Sequence, residues 1–423
     1  MRGFHRAGRG LVALAVVTLL GLTGPFGAAG AAPPADRVTD SPNLDERLQW
    51  RLDAVHEAGM PGVQAAVRHG DRSAAEAAGV ADTRTGRPLR PGFHHRVASV
   101  TKTFVATAVL RQVERGNVEL DAPVGRYLPE LVPGERGQRV TVRMLLNHTS
   151  GIADYVRVIF GSFYENSRRD LDRNRFHYRT PGELIRTGLD QPATNEPGAR
   201  WSYSNTNYIL AGELLRKVTG QSPQRYITRE IIRPLGLHDT YFPGASPFVA
   251  GPHSKAYEAL HHVPERRGEY SVYNMTWAGT AGALISTPEE LNRFYRALLG
   301  GRLLEEDTLA EMRRTVAVPG IPTLRYGLGL MRVEAGDCGT LWGHDGQTWG
   351  MVTLSMHSVD GTDQLSYGVN LTDYQRLDED GQPLPHPIDR QLGALQNEAL
   401  CGGGDSTNAT APKPLAPTPT RIR

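Results

Sequence analysis

Residues 96 to 116 read Arg96-Val-Ala-Ser-Val-Thr-Lys-Thr-Phe-Val-Ala-Thr-Ala-Val-Leu-Arg-Gln-Val-Glu-Arg-Gly116, and they predict one buried helix with a nucleophile at its start. From Val100 to Leu110 the stretch holds a single charge, Lys102, before Arg111, Glu114 and Arg115 return it to polarity and Gly116 supplies a stop. A helix apolar nearly all round belongs inside a large domain. An ammonium buried there is costly without partners or a task. Ser99 and Lys102 stand three residues apart, one helical turn on the same face. At that spacing a lysine amine can take the serine hydroxyl proton while the helix N-terminus faces the developing negative charge. The chain contains 43 Arg and four Lys (102, 217, 255, 413), so a lysine here departs from the chain's usual basic residue. Guanidinium stays protonated, whereas a buried amine shifts its pKa readily. Taken alone, the pair fits equally a lysine snorkelling from a core helix with Ser99 as its cap.

Working outward, the 423 residues are 39% hydrophobic and 22% charged, an ordinary balance for a chain with a sizeable core. The formal charge of +2 rests on the chain's two ends, and without them the body is near neutral. Nothing in it calls for nucleic acid or an anionic membrane surface. Residues 1–32 predict a secretory signal: Arg2, His5, Arg6 and Arg9, then the apolar run Leu11 to Leu22, then Ala29-Gly30-Ala31. That run is too short to span a bilayer. The expected mature protein is secreted, monomeric and without a membrane span. Cys338 and Cys401 suit an oxidising compartment and predict one disulfide, the alternative being two buried thiols.

Helical spacing covers Leu44 to Ala58, and two short strands follow at Gly62 to Arg68 and Ala74 to Val80. The middle of the chain predicts helices, clearest at Val140 to Leu146 and Tyr208 to Thr219. From Tyr326 the pattern turns to strands (326–334, 340–344, 349–357, 364–370) before a last helix at Ile388 to Leu400. Strands, a helical block, then strands predict an α/β (α+β) fold, one sheet flanked by helices with a helical subdomain inserted. The expected organisation is one domain over 33–401. Its sheet part takes in about 45–97 and 276–401, its helical part about 98–275, and a disordered tail follows over 402–423. Gly-x-Ser-x-Gly, His-Glu-x-x-His, Gly-x-Gly-x-x-Gly and Walker motifs are absent, and no metal or cofactor is expected.

Two further stretches bear on Ser99. Trp201-Ser-Tyr-Ser-Asn-Thr-Asn207 brings Tyr203 and Asn205 into one polar, aromatic turn. Gly343-His-Asp-Gly346 sets His344 between glycines that admit close approach to strand backbone. Each alone is commonplace, a capping turn and a half-buried histidine. In this order they resemble the serine penicillin-recognising enzymes, with Ser-x-x-Lys, Tyr-x-Asn and His-x-Gly elements. Further stretches are similar to the secreted D-alanyl-D-alanine carboxypeptidases: Asn147-His-Thr-Ser-Gly, Asn195-Glu-Pro-Gly, Trp277-Ala-Gly-Thr-Ala-Gly-Ala and Tyr326-Gly-Leu-Gly-Leu. The likeness runs from about 45 to 401 and implies a β-lactamase-like fold whose sheet is antiparallel.

The resemblance implies acyl transfer through an acyl-enzyme on Ser99, with Lys102 and Tyr203 sharing the proton and His344 beside Tyr203. The backbone amides of Ser99 and Gln347 would form the oxyanion hole. Asn205, Asp345 and Gly346 would meet the substrate, with Phe160 and Trp277 lining the pocket. Cys338 and Cys401 fall where that branch has a disulfide. Expected partners are peptidoglycan stem peptide or a small acyl substrate, and β-lactams. The sequence also departs from the carboxypeptidases. Their third motif reads His-Thr-Gly-Thr and an Arg follows Gly-Leu-Gly-Leu, groups that receive the peptide's free carboxylate. Asp345, Gln347 and Met331 stand here instead, and Arg332 should point to the other face of its strand. The favoured expectation is a D-alanyl-D-alanine carboxypeptidase. The alternatives are an esterase or D-amino-acid amidase, and a non-catalytic wall- or penicillin-binding module.

Overall fold

The computed structural model describes residues 43–262 and 266–401; the expected signal and tail lie outside them. Helix α1 (Leu44–Glu57) opens on a capping box, in which the Asn43 side chain accepts from the Glu46 amide and the Glu46 carboxylate accepts from the Asn43 amide. Strands β1 (Gly62–His69), β2 (Arg72–Asp82) and β3 (Arg87–Pro88) follow. The second half of the chain supplies β4 (Val316–Ala317), β5 (Leu324–Tyr326), β6 (Met331–Glu334), β7 (Thr340–Thr348), β8 (Met351–His357) and β9 (Asp363–Val369). These nine strands make one sheet in the order β3-β2-β1-β9-β8-β7-β6-β5-β4, every neighbouring pair antiparallel. The ends of the domain meet where β1 pairs with β9.

One sheet face is apolar. Val63, Ala65, Val67, Leu354, Leu365, Tyr367 and Val369 pack with Leu48 and Leu52 of α1 and with Leu392 and Leu395 of α5 (Pro387–Cys401). The opposite face is buried but polar. Asn292 of α4 (Pro288–Leu299) donates to the Ala66 carbonyl at 3.0 Å and accepts from Ser366 at 2.7 Å and, through its own carbonyl, from Gln364 at 2.8 Å. Strand alternation sends these polar residues to one side and the valines and leucines to the other.

The helical region is organised around α2 (Thr101–Glu114), in which Thr101 to Leu110 are all buried. It packs with α3 (Asn205–Thr219) in the largest apolar cluster. The stretch 96–116 is therefore not a single helix. Arg96 ends a two-residue strand, Ala98–Val100 form a separate 3-10 turn, and α2 begins only at Thr101. The expected strand 326–334 is likewise broken. Gly327 bonds Leu330 across a tight turn and Gly329 adopts φ 69°, so β5 and β6 form a hairpin. Cys338 and Cys401 are joined, tying the end of α5 to the loop before β7.

Candidate active site

Ser99 stands in the 3-10 turn, after Ala98 at φ 45°. A non-glycine residue in the left-handed region stores strain, and such strain concentrates at functional sites. The turn lies directly on β7. A Cβ at Gly346 would meet the Val97 carbonyl at 2.2 Å and the Ser99 amide at 2.9 Å, so no other residue fits this approach.

The three polar elements expected to meet do meet. Lys102 Nζ lies 3.0 Å from Ser99 Oγ, 2.8 Å from Asn205 Oδ1 and 2.7 Å from the Ala281 carbonyl. Tyr203 donates its hydroxyl hydrogen to Ser99 Oγ at 2.8 Å. Burial lowers the Lys102 pKa to about 7, against the pull of Asp154 and Asp345. Burial raises the Tyr203 phenol well above its ordinary value, and the two aspartates add to the effect. At neutral pH the arrangement favours a protonated phenol beside an amine that can be neutral. A neutral amine has two N–H groups and one lone pair. With the carbonyls of Asn205 and Ala281 taking the two donors, the lone pair is left for the Ser99 hydroxyl proton.

Asn205 spans the site, donating from Nδ2 to Asp154 at 2.9 Å. Burial raises the Asp154 carboxyl, against bonds from the Val156 amide and Asn205 and the nearby Lys102 charge. Asp154 was not foreseen, since nothing in its local sequence marks it.

His344 lines the same cleft as Ser99 and Tyr203, set against Tyr326. Its Nε2 faces the Tyr326 hydroxyl at 2.8 Å, and its Nδ1 donates to the Asp345 carbonyl at 2.6 Å. The imidazole lying on Tyr203 is His148, with ring centroids 4.3 Å apart. The His148 carbonyl accepts from Ser202 at 2.8 Å and its Nδ1 accepts from Ser204 at 3.2 Å, gripping the chain on both sides of Tyr203. Asn147-His-Thr-Ser-Gly carried the only sequence signal for it.

A cleft of about 280 Å³ opens over Ser99 and is lined in part by Phe160, Trp277, Trp349, Asp154, Arg157, Met331 and Asp345. Phe160 packs edge-on against both tryptophans, at 5.1 and 4.6 Å between centroids. The β7–β8 turn brings in Trp349, which the strand reading of 349–357 had not singled out. Arg332 does not line the cleft and pairs with Glu334. Gln347 lines the cleft, and its carboxamide donates to Asp373 at 3.1 and 3.2 Å.

Residues 44–359 match the family model described as Beta-lactamase. Among curated proteins the chain is 36% identical over 231 residues to Esterase EstB of Burkholderia gladioli, covering 52% of this chain and 57% of that one. It is 28% identical over 337 residues to Penicillin-binding protein 4* of Bacillus subtilis, covering 77% and 71%. Among solved structures, a D-stereospecific amidohydrolase from Streptomyces sp. superposes with TM-score 0.73 at 35% identity, covering 85% of this chain and 99% of that one.

Proposed function

The chain belongs to the Beta-lactamase family of serine hydrolases, and from that membership we propose that it is a secreted acyl hydrolase that turns over small esters or amides lacking a free carboxylate beside the scissile bond. In this reading Lys102, as the neutral amine, takes the Ser99 proton while Ser99 Oγ attacks the carbonyl. The oxyanion forms between the Ser99 and Gln347 amides. The Tyr203 phenol, hydrogen-bonded to Ser99 Oγ, is the group placed to protonate the departing amine or alkoxide. Water then releases the acyl group from Ser99. β-Lactams, which present a strained amide to the same serine, are expected to acylate it.

One observation carries the choice of substrate. Met331 and Asp345 line the cleft where a carboxypeptidase would receive the peptide's carboxylate, and Arg332 is paired outside it. The likeness to a D-stereospecific amidohydrolase and an esterase supports the same choice. A second reading, D-alanyl-D-alanine carboxypeptidase on peptidoglycan stem peptide, has Arg157 in its favour, a cation lining the same cleft. The test is a matched pair of peptides ending in D-Ala-D-Ala, one with a free C-terminus and one amidated. The proposal expects faster hydrolysis of the amidated peptide. Preference for the free carboxylate would establish the second reading.

A further inference from the structure

Behind the β7–β8 turn lies a buried pair of carboxyls outside the mechanism above. Glu258 is fully buried and Asp373 nearly so. Glu258 accepts from the Leu260 amide at 3.0 Å and from Thr372 Oγ1 at 2.5 Å. Thr372 Oγ1 in turn accepts from the Gly350 amide at 3.0 Å, inside the turn. Burial pushes the Glu258 carboxyl well above the ordinary carboxylate range, and Asp373 stabilises its protonated form. Burial raises Asp373 as well, but only to about 6, so Asp373 is the more acidic of the two carboxyls and Glu258 the more readily protonated. Both Asp373 oxygens accept from Gln347 Nε2, at 3.1 and 3.2 Å. His261 is the other titratable group facing Asp373, 3.7 Å away.

Asp373 itself sits at φ 49°, a conformation that costs a non-glycine residue energy unless its surroundings enforce it. A hydrogen bond to an ionised carboxylate is roughly twice as strong as a neutral one, and Gln347 Nε2 reaches both oxygens of Asp373. Because Gly346 faces the Ser99 turn, alternation along β7 sends the Gln347 side chain the other way. The residue is therefore held by its side chain on the side away from the Ser99 turn, and in the acyl-enzyme reading its backbone amide serves the cleft. Catalytic donors lose effect when their placement slackens by fractions of an ångström.

We propose that Asp373, backed by Glu258, is a positioning residue that fixes the oxyanion-hole amide of Gln347 by anchoring the Gln347 side chain. The inference rests on the Ser99 acyl-enzyme reading. Labelling of Ser99 by a fluorophosphonate, lost in Ser99→Ala, checks that reading independently of the Asp373 variants.

The experiment compares the fluorophosphonate labelling rate, and kcat and KM on a small ester, in wild type, Asp373→Asn, Gln347→Met and the double variant. Each single change should slow acylation and kcat by about tenfold, a fraction of the 10²–10³ lost when an oxyanion donor is removed, with KM altered less than about twofold. The double variant should be no slower than Gln347→Met alone, because Asp373 acts only through that side chain. Glu258→Gln, which still donates to the carboxylate, should keep close to the wild-type rate. Wild-type acylation in Asp373→Asn, or losses that multiply in the double variant, would overturn the inference. If Asp373→Asn does not fold, Gln347→Met decides, since it removes the link and leaves both carboxyls: a wild-type rate there refutes the anchor.

Discussion

Lys102 gains its chemistry from burial rather than from any single neighbour. With a pKa of about 7 it is charged below that pH and neutral above it, and only the neutral amine can accept the Ser99 proton. The predicted profile of kcat/KM therefore rises about tenfold per pH unit on the acid side and levels above pH ~7. An enzyme at full activity at pH 5 would contradict this. Lys102→Arg should abolish acylation as thoroughly as Lys102→Ala, because guanidinium keeps its proton. Asp345 sets the other residue-scale expectation. Two like charges about 4 Å apart repel by roughly 4 kcal/mol at an effective dielectric of about 20 and about 1 kcal/mol in water. Asp345→Asn should thus raise activity on a free-carboxylate peptide, relative to its amide, by about tenfold or more. Met331→Arg combined with Asp345→Thr should raise it further. An unchanged ratio, read from competition assays, would remove Asp345 from the account of specificity. At this scale the sequence was informative where chemistry is local: Ser99 and Lys102 are one turn apart. It was silent where partners come from afar. His148 and Asp154 reach the site from one loop and Tyr326 from a distant strand, and nothing beside them in the chain names their partners.

Among the elements, strand boundaries followed alternation and turn residues closely, as at β1, β2 and β9. The buried polar face of the sheet was harder to foresee. Gln64, Gln364 and Ser366 look solvent-facing in sequence, yet all are buried: Gln64 donates to the Phe93 carbonyl, and Asn292 of α4 satisfies Gln364 and Ser366. Replacing Asn292 with Leu leaves the Ser366 hydroxyl without that acceptor and the Ala66 carbonyl without that donor. The expected loss of stability is about 2–6 kcal/mol, at about 1–3 kcal/mol per unsatisfied group, measurable by urea unfolding. Neutral behaviour would mean that the remaining polar groups re-pair. The split of 96–116 into a turn and a helix has a different cause. The Ser99 turn is bent to meet Gly346 across the sheet, a tertiary demand that overrides the helical pattern.

At the level of the whole molecule, the two ends of the domain close on each other through β1–β9, α1–α5 and the Cys338–Cys401 bond. That bond closes a loop of 63 residues. In the chain-entropy account it stabilises by up to about 4 kcal/mol, and Cys338→Ser with Cys401→Ser should lower the midpoint of thermal unfolding while leaving kcat intact. Loss of activity before unfolding would link the disulfide to the cleft instead. Among the described residues no helix is long and apolar enough to cross a membrane. Every reading above depends on a covalent intermediate at one residue. The direct measurement is mass spectrometry of the protein stopped in acid during turnover of a small ester, followed by peptide mapping. The account predicts a mass increase equal to the acyl group, on the peptide containing Ser99, accumulating in wild type and absent in Ser99→Ala. Turnover that persists in Ser99→Ala, or an adduct that maps to another residue, would contradict it.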